Sequence, residues 1–177
     1  MKIEYVHASC FGNGALVAQE FARQMAARGV AVTVHHITEV SPKELPLADL
    51  YVFSAPGRMG KPIRGAKRFL ENLALPADTL CAVLTTEAAP RPDSKTGKNP
   101  TETELAKYQR VRPIMNEILE NKGLVRTAED KIYVTRLKGP LEQGWEGKVT
   151  QFSSQILVGA LSGVGLSASE MQMEESK

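Results

Sequence analysis

The chain has 177 residues, enough for one domain with a sizeable core; 42% of them are apolar and 24% charged, ordinary globular proportions. Lys and Arg number 22 against 20 Asp and Glu, a net charge of +2 that gives no basis for expecting nucleic-acid or membrane binding. Two cysteines without disulfide or metal-type spacing, no apolar stretch near the ~20 residues of a bilayer span, and a strand pattern from the first residues predict a cytoplasmic protein with neither signal peptide nor membrane insertion.

Residues 3–6 read as a short strand closed by a small, polar segment, 7–14. From Ala15 the apolar spacing turns helical through Ala18, Phe21, Met25 and Ala26, and Gly29 is placed to end the helix. The β-branched run 30–37 predicts a second strand, with Ser41-Pro42 and Pro46 marking a connection. Residues 50–54 predict a third, buried strand, then a loop over 54–61. Pro62 suits the first position of a helix that continues through Ile63, Ala66, Phe69, Leu70 and Leu73.

A fourth strand is predicted over 80–85, and the loop after it, 87–100, has a length at which loops are often functional. Thr101 and Glu104 form a capping-box signal before helically spaced Leu105, Tyr108, Val111, Met115 and Ile118, with Pro113 expected to kink or restart that helix and Gly123 to stop it. A fifth strand over 131–135 and a last amphipathic helix through Trp145, Val149, Phe152, Ile156 and Ala160 complete a domain of residues 1–163. Residues 164–177 read as a polar tail. No internal repeat is present. Strands alternating with helices predict an α/β fold of parallel βαβ units, in which ligands bind beyond the carboxyl ends of the strands. In sheet order 2-1-3-4-5 the loops after the first, third and fourth strands line that crevice.

The first of those loops contains Gly12 and Gly14 but no Lys or Arg. Backbone N–H groups and the helix dipole can hold a phosphate there, with the Ser9 hydroxyl and the Asn13 amide assisting. Other phosphate motifs fail. A Walker loop needs Gly-Lys-Ser/Thr where Gly14-Ala15-Leu16 stands, a dinucleotide fingerprint needs a glycine near Val17, and a phosphatase loop begun at Cys10 needs Arg in place of Leu16. A plain strand-to-helix turn is the competing reading.

Residues 3–18, followed by YVFSAPGRMGKPIRGAKRFLENL at 51–73, resemble the flavodoxin family. In the phosphate loop Ser9, Gly12 and Asn13 match that family's pattern, while Phe11 and Gly14 stand where hydroxyl residues are usual. The aromatic at Phe11 is similar to the NAD(P)H:quinone reductase branch. Pro56, Gly60 and Lys61 match the second loop, and Phe69-Leu70 the helix after it. The resemblance implies a flavodoxin-like three-layer sandwich with a five-stranded parallel sheet in order 2-1-3-4-5, and FMN as cofactor. It implies phosphate binding by Ser9, Cys10, Phe11, Gly12, Asn13 and Gly14. The isoalloxazine is then expected between Pro56, Gly57, Arg58, Met59 and Gly60 on one side and Thr85, Thr86 and Glu87 on the other.

The implied function is electron transfer or FMN-dependent NAD(P)H:quinone-type reduction, and whether the chain is an enzyme stays open. No catalytic residue is assigned. The flavin-sandwiching aromatics usual in the family are missing from the second loop and from 87–100, where Met59 is the polarizable substitute. This motivates the alternative of a flavodoxin-fold module that has lost FMN and serves as a binding or regulatory partner. Arg58, Lys61, Arg64, Lys67 and Arg68, with Arg91, Lys95 and Lys98, form a basic rim suited to an acidic redox protein or to NAD(P)H or quinone-type substrates; a solvated helix face is the other reading. The three histidines, His7, His35 and His36, lack metal-ligand company, so no metal is expected. A homo-oligomer is left open.

Overall fold

In the computed structural model, residues 1–174 are described, with side chains through Ser162. The elements run β1 (Lys2–His7), α1 (Asn13–Ala26), β2 (Ala31–His36), β3 (Leu50–Arg58), β4 (Lys61–Pro62), α2 (Arg64–Glu71), β5 (Leu80–Ala88), α3 (Glu102–Tyr108), α4 (Val111–Asn121), β6 (Val125–Val134) and α5 (Trp145–Glu174). Five strands pair in parallel in the order β2-β1-β3-β5-β6, and β4 adds antiparallel to β3 as a two-residue hairpin mate. With that hairpin set aside, this is the expected 2-1-3-4-5 order.

Two cores sandwich the sheet because the central strands are apolar on both faces. On one face Ile3, Tyr5, Val52 and Leu84 meet Val17 and Phe21 of α1 and Phe152 and Ile156 of α5. On the other, Val6, Phe53 and Val83 meet Phe69 and Leu70 of α2 and Met115 and Leu119 of α4. Phe21 and Phe152 touch at 5.8 Å between ring centroids, tying α1 to α5 under the sheet. Fully buried side chains of this size contribute ~1.5–3 kcal/mol each.

Four boundaries differ from the sequence expectation. β3 and β5 run on to Arg58 and Ala88, so residues 54–58, expected as loop, continue a strand in which Pro56 pairs with Thr86. Pro62 does not open α2; it lies in β4 opposite Gly57, and the helix begins at Arg64. Gly60 carries a backbone that the hairpin needs, which consumes the residues just before Pro62. β6 begins at Val125, six residues early: it is an edge strand whose first half is largely exposed, so its sequence lacks an apolar run. The capping box is present, with Thr101 Oγ1 accepting from the Glu104 amide and the Glu104 carboxylate accepting from the Thr101 amide. Pro113 falls in the first turn of α4, where the helix restarts after α3.

The expected 164–177 tail falls on the end of α5 and on residues 175–177, which lie outside the described residues. No helix is long and apolar enough to cross a membrane, and no group of three or more potential metal ligands occurs among the described residues.

Candidate functional site

The carboxyl ends of β1, β3, β5 and β6 open onto one cavity of about 680 Å³. Its first wall starts where β1 ends. His7, nearly buried, turns Nδ1 toward the loop and accepts the Ser9 N–H at 3.3 Å. Burial, then the neighbouring His36, lowers the His7 pKa, which favours the neutral ring that this acceptor role requires. Ser9 Oγ in turn accepts the Gly12 amide at 3.1 Å, and Gly12 takes φ 89°, a left-handed conformation that turns the chain into α1. The Asn13, Gly14 and Ala15 amides at the head of α1 have no acceptor among the described residues. No acidic residue stands in that first turn, so the positive end of the helix dipole is unopposed there. A Cβ on Gly14 would lie 3.2 Å from Ser9 Cβ, so a side chain here would push Ser9 aside by a few tenths of an ångström.

The second wall is the β3–β4 hairpin. Its two turn residues, Met59 (φ 52°) and Gly60 (φ 74°), both have the positive φ that a two-residue type I′ turn demands. Gly60 is pressed onto the α3–α4 junction: a Cβ there would lie 1.6 Å from the Tyr108 carbonyl oxygen, and the Gly60 carbonyl accepts the Arg110 amide at 2.7 Å. Pro56, Gly57 and Arg58 consequently face the cavity, while Met59 is 95% exposed and lies outside it.

The third wall is the end of β5. Thr86 lines the cavity, but Thr85 is fully buried and donates its hydroxyl to Glu87 Oε1 at 2.7 Å. Glu87 is itself buried, with Arg112 Nε 3.8 Å from the same oxygen and no hydrogen-bond partner for Oε2 among the described residues. Its side chain borders an adjoining cavity of about 720 Å³ under the 88–101 loop, together with Met59, Gly60 and Tyr108. The two cavities share Gly57, Ala88, Ala89 and Arg91.

Of the residues singled out in the sequence, Ser9, Cys10, Phe11, Asn13, Gly14, Pro56, Gly57, Arg58 and Thr86 line the first cavity. Met59, Gly60 and Glu87 border the second, Gly12 shapes the β1–α1 loop without lining either cavity, and Thr85 lies beneath. Sequence reading missed the wall after β6: Val134, Arg136 and Leu137 line the first cavity, Lys138 stands 5.6 Å over the Phe11 ring, and Gly139 packs on the Asn13 side chain. The signal was there, since Arg136 follows the expected fifth strand directly. Arg58, Arg91 and Arg136 all line the first cavity; none has a carboxylate within 4 Å among the described residues, and no acidic residue lines that cavity. Such a crevice, apolar in its walls and cationic at its rim, suits an anionic ligand of mononucleotide size.

No family model and no curated protein matches the sequence. Solved structures do match in fold. A rubredoxin oxygen:oxidoreductase from Desulfovibrio gigas superposes with TM-score 0.66 at 10% identity over 92% of this chain, which spans 37% of that protein. Flavodoxin 2 from Bacillus cereus gives 0.65 at 17% identity over 89% of this chain and 98% of its own, and a flavodoxin from the Archaea gives 0.63 at 14% over 90% and 99%. At these identities the likeness establishes a flavodoxin-like fold.

Proposed function

We propose that this chain is an FMN-binding redox protein, with the FMN phosphate on residues 9–15 and the flavin ring in the crevice between 56–60 and 85–89. The observation that carries the reading is the set of unengaged amides of Asn13, Gly14 and Ala15 at a left-handed glycine turn, with Asn13 and Gly14 lining an apolar-walled cavity of about 680 Å³. A phosphate dianion at such a helix start gains ~0.3–2 kcal/mol from the dipole, besides its hydrogen bonds. FMN bound there supplies the electron- and hydride-accepting chemistry. The chain's own part is to hold and surround it. Gly12 and Ser9 set the loop, Asn13 to Ala15 donate, and Pro56, Ile63 and Val134 supply half-buried apolar surface against the bound group. Arg58, Arg91 and Arg136 make the site positive.

That positive rim supports an acidic redox protein, or NAD(P)H with a quinone-type acceptor, as the partner. Two free thiols support a cytoplasmic setting: Cys10 is exposed, and burial pushes the Cys81 thiol up to about 12. The rival reading, a module that has lost FMN, draws on one observation: the aromatic rings bordering the two cavities are Phe11 and Tyr108, and neither comes from the β3–β4 hairpin or the 87–100 loop. The absorption spectrum decides between them. Protein that is yellow as purified, or that takes up FMN stoichiometrically with a perturbed flavin spectrum, supports the first reading; colourless protein that ignores added FMN supports the second.

A further inference from the structure

Beside the candidate site, α2 and α4 leave a groove of about 930 Å³ between them. Its floor is apolar: Ile63, Ile114 and Ile118 lie there half-buried. Its walls are cationic, with Lys61, Arg64 and Lys67 on one side, Arg110 on the other and Arg58 at the head. Two acidic residues border it. Glu71 already pairs with Lys67 at 3.6 Å, and Glu117 stands on α4. Arg58, Lys61, Arg64 and Arg110 have no carboxylate within 4 Å and no side-chain hydrogen bond among the described residues. Ile63 and Ile118 pack on the edge of the second core, and with Ile114 they leave part of their apolar surface open between the cations.

We infer that this groove docks an acidic, amphipathic helical segment of a partner protein, apolar stripe on the isoleucines and carboxylates against the flanking cations. The eleven residues of α4 give the groove a length of about 16 Å, three turns of a docked helix. Charge complementarity selects the acidic partner, and the isoleucine floor selects a folded apolar stripe over a nucleic-acid strand, for which stacking aromatics would be needed. Arg58, Ile63 and Cys10 line both the groove and the 680 Å³ cavity, so the docked segment ends at the cavity mouth. Its role in electron exchange rests on the FMN reading; its binding does not.

The probe is a fluorescein-labelled, helix-stabilised peptide of about four turns, with leucines at helical three- and four-residue spacing and glutamates elsewhere. The same peptide with lysines for glutamates and a single-stranded oligonucleotide serve as comparisons. Anisotropy with the full chain is expected to show the glutamate peptide binding at least tenfold tighter than either, and weakening as salt rises. The Arg64→Glu/Arg110→Glu double variant and, separately, Ile118→Ser are each expected to lose at least tenfold in affinity while FMN titrations on the same proteins stay unchanged. Equal binding of the two peptides, equal binding of the oligonucleotide, or full affinity in the double variant overturns the inference. Loss of FMN uptake by the unaltered chain would instead strike the functional reading and leave the docking result intact.

Discussion

Replacing Gly12 tests the proposed phosphate role of the β1–α1 loop. The residue sits at φ 89° and ψ −15°, and a Cβ there meets no atom within 4 Å. The penalty of a side chain is therefore conformational rather than steric: ~1–2 kcal/mol for an ordinary residue held in the left-handed region, more for a β-branched one. Gly12 is exposed, and it is tied to the protein through the Ser9 Oγ bond and the first α1 turn, so the free loop in Gly12→Val relaxes out of the strained conformation at little expense to the fold. Binding must then restore it. The expected result is a thermal midpoint close to that of the unaltered protein and an FMN dissociation constant raised at least tenfold, ~1.4 kcal/mol. Gly12→Asn is expected to fall between, because Asn tolerates the left-handed region. Fluorescence titration with FMN, paired with thermal melts, gives both numbers. An FMN affinity unchanged in Gly12→Val would refute this loop as the phosphate site.

Three further perturbations have expected outcomes. On the FMN reading, a cation ~5 Å from the ring would contribute ~3 kcal/mol at an effective dielectric near 20 and about a third of that after screening, so Arg58→Ala should make the couples of the FMN-loaded protein more negative by roughly 40 mV per electron in potentiometry; unchanged couples would show that Arg58 does not tune the cofactor. Gly60→Ala would drive a methyl into the Tyr108 carbonyl at a left-handed position, and should lose ~2–4 kcal/mol in urea unfolding; a loss under ~1 kcal/mol would mean the hairpin does not seal on the α3–α4 junction. Because burial lowers the His7 pKa below its ordinary 6.5, the unfolded chain binds more protons in the window just under that value. The stability it supports is full above about pH 6.5 and declines as pH falls from there toward the folded pKa, well before Glu20, held near 2 by Arg23, protonates. Unfolding titrations from pH 7 to 5 should lose that slope in His7→Gln, and an identical slope in both proteins would count against the neutral acceptor role.

What the sequence made legible was whatever has a local cause. Buried parallel strands advertise themselves as unbroken apolar runs, and residues 50–53 and 80–84 did so because both of their faces are covered. The Thr101–Glu104 box acts within one helical turn and was read correctly from four residues. The first half of β6 was missed because an edge strand with solvent on one side needs no apolar run. The hairpin at 59–60 was read as loop because the contact that demands Gly60, the Tyr108 carbonyl, lies far along the chain and leaves no mark beside it. Pro62 then carried a helix-start signal that the hairpin overrode.

The candidate site shows the same division, in charge rather than in backbone. Sequence reading gathers cations by run, and so assigned one basic rim to 58–68 and to the following long loop. The fold gathers them by strand end instead. Arg58 closes β3, Arg91 follows β5 and Arg136 follows β6, and these three, from runs that share no sequence neighbourhood, line a single cavity. The remainder of the 58–68 run turns away through β4 and α2, where Lys67 finds Glu71 and where Lys61 and Arg64 face a different groove. A net charge of +2 spread over 177 residues hides both concentrations. Since a field in a cleft depends on which charges the topology brings together and not on their sum, the 680 Å³ cavity and the α2–α4 groove can be tuned separately, with Arg58 the cation of that run whose change should be felt in both.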